Sequence, residues 1–179
     1  MNYQSVFHLL SDISKQAGIP LILIGGFAVN YYKYTRQSAD VDFLIQESDF
    51  QKMSELLKST GYKLDYSQEV FARFISTGDS IIMDIDFMLI DEETFDKIIK
   101  DSQKADIAGC EFRVPSLEHL IALKLHAVKY NPKPRLIKDI PDIINLIKIN
   151  KVDVKSGKFK ELCLKYGTQE LYEKILESS

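Results

Sequence analysis

A mixed α/β fold with a helical C-terminal third is what this sequence predicts, and three observations carry that reading. Short apolar runs bounded by glycine or proline alternate with amphipathic helical segments as far as residue 115. Aspartates recur at alternate positions inside two of those strand-like runs, 39–45 and 80–90. From residue 116 onward the apolar residues recur only at helical spacing. The chain therefore divides into a core of residues 1–115 and a helical region of residues 116–179 that packs on it, or forms one domain with it.

The elements follow in order. Val6, Leu9, Leu10, Ile13 and Ala17 mark a first amphipathic helix that ends near Gly18. Residues 20–24 (PLILI) read as a buried strand, 27–34 as an aromatic-rich helix and 39–45 as a second strand. Ser48 with Gln51 has the spacing of a capping box, opening a helix that buries Phe50, Met53, Leu56 and Leu57 and stops at Gly61. Residues 70–77 and 80–90 form two strands of a hairpin, joined by a turn at Gly78-Asp79. Asp91 caps a helix that buries Phe95, Ile98 and Ile99, and 107–114 is one further strand ended by Pro115. Ser116 caps a long helix to about Tyr130, which the NPKPR segment at 131–135 breaks. One helix carries Ile140, Ile143, Ile144 and Ile147, another starts after Ser156, and a last one follows Gly167-Thr168.

Composition removes several classes of function. The 179 residues are 45% hydrophobic and 27% charged, ordinary for a globular protein that buries a core. A net charge of −3 argues against non-specific binding to nucleic acid, although Lys129, Lys133, Arg135 and Lys138 cluster around one loop. No apolar run approaches the roughly 20 residues of a membrane span, and the N-terminus lacks a charged segment followed by an apolar one. The expected location is the cytoplasm, without membrane attachment. Cys110 and Cys163 have no metal or redox spacing and read as buried thiols; His8, His119 and His126 read as structural.

The chemistry concentrates in residues 24–45. On an extended strand Asp40 and Asp42 share one face, while Val41 and Phe43 point to a core. Two carboxylates side by side repel each other unless a cation sits between them. Gly25-Gly26 removes side chains where backbone must come close to something, and a helix starting there aims its N–H groups at anions. On the later strand Asp84, Asp86 and Met88 share one face, and Met83, Ile85 and Phe87 the other. Aspartate is a poor strand former, so several of them inside strands need a reason beyond solubility.

Gly25-Gly26, thirteen residues, Asp40-Val41-Asp42, and a later Ile85-Asp86-Phe87 resemble the polymerase-β-like nucleotidyltransferase superfamily in its minimal form. The resemblance implies a small mixed sheet flanked by helices. It also implies a Mg²⁺-dependent enzyme moving a nucleoside monophosphate from an NTP to an acceptor hydroxyl. Asp40, Asp42 and Asp86 are its catalytic, metal-ligating acids, holding two Mg²⁺ ions or Mn²⁺ in their place. Gly25 and Gly26 carry the phosphates. Asp84 and Asp86 share a face, so geometry alone does not choose the third acid. The resembling family follows it with an apolar run, as Phe87-Met88-Leu89-Ile90 follows Asp86, which favours Asp86 with Asp84 as a helper.

The segment Ala122-Leu123-Lys124-Leu125-His126-Ala127 and the Lys138-Asp139-x-x-Asp142 pattern bring the resemblance close to the abortive-infection AbiEii/AbiGii-type toxins. That branch implies a tRNA end, a protein side chain or a small molecule as acceptor, and an antitoxin as partner. Lys124 sits in an apolar stripe with Leu117, Ile121 and Val128, so burial requires an anion to meet it. By resemblance that anion is the triphosphate; by packing alone it is a sheet-edge carboxylate to which the ammonium snorkels. Arg36, four residues before Asp40, and Lys138 join Lys124 as expected nucleotide-binding cations. Lys138 and Asp142 form an i,i+4 pair, or else the helix starts at Asp139 with that residue as its cap, because Pro141 follows. A catalytically silent nucleotide-binding or partner-binding member of the same fold is the alternative. A haloacid-dehalogenase phosphatase would want threonine where Leu44 stands, and a metal-dependent glycosyltransferase would need a longer chain.

Overall fold

The computed structural model describes residues 3–77 and 83–178. The chain forms two units, Met1–Ala28 with Gln37–Pro115, and Val29–Arg36 with Ser116–Ser179.

The first unit opens with α1 (Val6–Ala17), whose N-terminus is capped by the Ser5 hydroxyl accepting from the His8 N–H. The sheet is built from β1 (Ile22–Leu23), β2 (Asp40–Gln46), β3 (Tyr62–Gln68), β4 (Phe71–Ser76), β5 (Asp84–Ile90), β6 (Gln103–Ile107) and β7 (Cys110–Val114). Among the described residues these seven strands run in the order β3-β4-β5-β2-β1-β7-β6. The pairs β2–β5 and β1–β7 are parallel, and the other four are antiparallel. Two helices complete this unit, α3 (Glu47–Ser59) and α4 (Glu92–Lys100).

The centre of the sheet is its most apolar part. Val41, Phe43, Leu44 and Ile45 of β2 and Ile85 and Phe87 of β5 are fully buried. The two strands pair in register, Asp40 opposite Asp84 and Asp42 opposite Asp86. With alternation along each strand, four carboxylates rise on one face above a core of phenylalanine, valine and isoleucine on the other.

The helix α2 (Gly25–Tyr31) carries the chain from the first unit into the second. The second unit then continues with α5 (Leu117–Tyr130), α6 (Pro132–Asn150), α7 (Gly157–Tyr166) and α8 (Gln169–Ser178). Within it α5 packs on α6 and α7, and α7 packs on α8. No helix among the described residues is long and apolar enough to cross a membrane.

Several local expectations are corrected. The segment 107–114 is not one strand: Ala108 and Gly109 both have positive φ (55° and 79°), the signature of a type I′ turn, and they fold the chain into the β6–β7 hairpin. Asp106 accepts from the Gly109 N–H at 3.1 Å, which secures the turn. The capping box at Ser48 does not form, since α3 starts at Glu47 and Gln51 donates forward to Glu55 instead. The break at 131–135 shrinks to Asn131 alone, because Pro132 occupies the first position of α6, where no N–H is needed. Asp139 is consequently an interior residue of α6 and not its cap. Pro141 lies on the exposed side of that helix, where a carbonyl without a donor can turn to water. The strand β3 was not expected. Its sequence YKLDYSQ is polar and mostly exposed, a bulged edge rather than a core strand. The Gly78-Asp79 turn lies outside the described residues, although the two strands it was to join, β4 and β5, do pair antiparallel.

Candidate active site

The acids come together because β2 and β5 are neighbours in register. Carboxylate oxygens of Asp40, Asp42 and Asp86 all lie within 4.8 Å of one another. Asp40 and Asp42 are half-buried, whereas Asp86 is buried, at 6% exposure. The Ser38 hydroxyl donates to Asp40 Oδ1 at 3.0 Å and holds that side chain at the mouth of the strand. Asp84, paired across the strands with Asp40, stands outside this cluster of three.

Gly25 is where bare backbone is required. Its φ is +62°, and a Cβ placed on it would fall 1.9 Å from Asp42 Oδ2 and 2.8 Å from Asp42 Cβ. The Asp42 carboxylate therefore lies directly against the first residue of α2, in space any side chain would fill. The Ile24 N–H donates to the Asp42 carbonyl at 2.9 Å and fixes the approach.

The sequence reading missed Arg73. It sits on β4 opposite Asp86. Its Nε donates to Asp86 Oδ1 at 2.7 Å and its Nη2 to Asp86 Oδ2 at 2.6 Å, the planar two-point grip of guanidinium on carboxylate. The same Nη2 is 3.6 Å from Asp40 Oδ2. The hydrogen bonds to Asp86 raise the pKa of Arg73 above its ordinary value, against a smaller opposing effect of burial, with the charges of Asp86, Asp40 and Asp84 adding to the rise. A charged residue in the otherwise apolar run Phe71-Ala72-Arg73-Phe74 was the available signal.

The donor set consists of carboxylate oxygens, a bare backbone lies against one of them, and a guanidinium already stands among them as a cation. That combination fits a hard divalent ion, and Asp40, Asp42 and Asp86 are the residues that would hold it.

The other expected site residues gather in the second unit. Lys124 is 6% exposed, and its ammonium is met by Asp139 Oδ1 at 2.8 Å and Asp142 Oδ2 at 2.6 Å. Arg36 Nε lies 3.2 Å from Asp142 Oδ1, and Arg135 Nη1 lies 3.4 Å from Asp139 Oδ2. The Asn30 side chain bonds both the N–H and the carbonyl of Arg36, at 2.8 and 3.0 Å, and so closes the loop that delivers the guanidinium. Asp142 thus faces Lys124 and Arg36, while Lys138 is exposed on α6.

A comparison with protein families decides the affiliation. The model of a family described as uncharacterised nucleotidyltransferases matches residues 8–178. The chain belongs to that family. Solved structures share the nucleotidyltransferase fold. The antibiotic-resistance factor ANT(2'')-Ia matches with a TM-score of 0.58 at 15% identity, over 96% of this chain and 87% of that one. An antigenic nucleotidyltransferase-like protein from Paracoccidioides brasiliensis gives 0.57 at 16% identity, over 97% and 91%. The lincosamide antibiotic adenylyltransferase LnuA, with lincomycin bound, gives 0.55 at 16% identity, over 77% and 92%. No curated protein matches the sequence significantly. At such identities the likeness establishes the fold, and the family match identifies the chain as a nucleotidyltransferase.

The net charge of −3 conceals a division within this nucleotidyltransferase. The second unit has 14 lysines and arginines against 8 acids, a net +6, and the first unit 9 against 18, a net −9. The segment 126–138 alone carries four cationic residues and no acid.

Proposed function

We propose that the enzyme transfers a nucleoside monophosphate from an NTP to an acceptor hydroxyl with Mg²⁺ as cofactor, Mn²⁺ serving as a substitute. The observation that carries this reading is the convergence of Asp40, Asp42 and Asp86 beside the bare backbone of Gly25. The acceptor oxygen attacks the α-phosphorus, a new P–O ester bond forms, and the bond to the bridging oxygen of pyrophosphate breaks. Divalent ions bound to the three carboxylates supply charge neutralisation for the attacking and leaving oxygens. Asp40 and Asp42 hold the ions from one strand, and Asp86 completes the ligand set from its parallel neighbour or takes the acceptor proton. Gly25 and Gly26 give the phosphates access to main-chain N–H groups.

The charge division bears on the acceptor. A helical unit of net +6 supports an anionic acceptor, and an RNA end is the form its surface fits. Tyr130 is 68% exposed, the Lys129 ammonium lies 5.6 Å from its ring centroid, and the His126 ring lies 4.5 Å away, a platform on which a base can stack. The Gly-Gly, DxD, KLHA and KDxxD motifs together support a place beside the abortive-infection toxins, with an antitoxin partner.

Asp42→Asn is the direct test. The variant is expected to lose Mg²⁺-dependent ATP binding in calorimetry and pyrophosphate release from each NTP. Its melting temperature in chelator should equal or exceed that of the wild type, because one of three crowded charges is gone. A marked fall in melting temperature without metal would instead make Asp42 a structural residue.

A further inference from the structure

Asp86 offers both of its oxygens to Arg73, so as it stands it has none turned wholly to an incoming ion. The clustered carboxylates outnumber the one guanidinium that meets them, and the negative charge left over is charge a divalent cation offsets. The Asp86 carboxylate is 8% exposed and held by its strand, whereas the Arg73 side chain is 38% exposed. Of the two partners it is the arginine that can move, on a flexible stem with solvent beside it. The grip on Asp86 is the interaction whose loosening frees both oxygens of that carboxylate.

We propose that Arg73 is the resident cation of the acid triad: it neutralises Asp86 and Asp40 while no divalent ion is bound, and releases Asp86 as the ion enters. Ion and guanidinium compete for the same carboxylate oxygens, and Arg73 thereby sets the ion concentration at which the site fills. It is a positioning residue that acts through Asp86. This inference rests on the metal-dependent reading above.

The experiment follows ion binding, not turnover. Mn²⁺ is titrated into nucleotide-free full-length protein, the free ion is read by its EPR signal, and wild type is compared with Arg73→Met and Arg73→Lys. Arg73→Met is expected to bind Mn²⁺ about ten- to a hundredfold more tightly, the range over which a charge a few ångström away moves a neighbouring equilibrium. Arg73→Lys, which keeps the charge but loses the two-point grip, should fall between. In chelator the Arg73→Met protein should melt below wild type, and added Mn²⁺ should remove the difference. Equal or weaker Mn²⁺ binding by Arg73→Met, with the wild type binding normally, overturns the role of Arg73 and leaves the proposed reaction standing. Failure of both proteins to bind millimolar Mn²⁺ overturns the metal-dependent reading and this inference with it. If Arg73→Met does not fold, Arg73→Lys decides alone: tighter than wild type supports the proposal, and no tighter rejects it.

Discussion

Alanine at position 25 is expected to dismantle the acid triad while leaving the protein folded. The added Cβ would stand 1.9 Å from Asp42 Oδ2, 2.4 Å from Cγ and 2.8 Å from Cβ. Rotating the aspartate relieves the first two contacts but not the third, since Cβ is fixed by the β2 backbone. Either the start of α2 or the strand must move, and Asp42 moves with it. The left-handed φ of +62° adds about 1–2 kcal/mol of backbone strain for a residue with a Cβ. Gly18→Ala supplies the control, because Gly18 has a similar φ of +69° with open space where its Cβ would go. Gly18→Ala should lose stability in urea unfolding by the backbone strain alone and Gly25→Ala by that amount or more, and only Gly25→Ala should lose Mn²⁺ binding, by at least about tenfold. Indistinguishable metal affinities in the two would mean that the contact between Gly25 and Asp42 does not shape the site.

Lys124→Met should give the largest loss of stability. The lysine is buried at 6% exposure between two carboxylates that are each 2% exposed. Removing the ammonium leaves Asp139 and Asp142 with Arg135 and Arg36, at 3.4 and 3.2 Å, as their ion-pair partners among the described residues. Breaking a buried ion pair from one side typically costs about 3–5 kcal/mol, because the stranded charge cannot return to water. The expected result is a loss of that size in urea unfolding at neutral pH. In a double-mutant cycle with Asp142→Asn the double variant should be more stable than the sum of the singles, since the second change removes one of the stranded charges. A loss below about 1 kcal/mol, the size of an exposed pair, would mean that water reaches the cluster and screens it.

How much of this was readable in the chain follows the range of each interaction. The strands that bear the acids were visible because alternation is a local pattern, and β2 and β5 each open with it, Asp40-Val41-Asp42-Phe43 and Asp84-Ile85-Asp86-Phe87, before running on as apolar residues. The caps Asp91 and Ser116 were visible for the same reason, each acting within one helical turn. The preference for Asp86 over Asp84 rested on the apolar run behind it, and Asp86 is the acid that joins Asp40 and Asp42 in space.

What was hidden is non-local or runs against composition. Arg73 meets Asp86 through strand register thirteen residues away, which no local pattern records. Lys124 meets Asp139 and Asp142 at separations of fifteen and eighteen residues, across two helices. Ala108-Gly109 lacks the asparagine or aspartate that usually announces a type I′ turn, so a hairpin passed for a strand. The two prolines of 131–135 looked like a wall, but both fall in the first turn of α6, where proline is tolerated.

The in-register parallel pairing of β2 with β5 also sets when the protein becomes competent. Asp42 and Asp86 are partners separated by more than forty residues, and between them come a helix and the two strands β3 and β4. A nascent chain that ends at residue 70 already holds Asp40, Asp42 and Gly25, yet it has neither the third acid nor the arginine that offsets the charge. Loop closure over that span is among the slower events in folding. Arg73 and Asp86 arrive together on one antiparallel pair, so the crowded acids gain their counter-charge in the step that completes them.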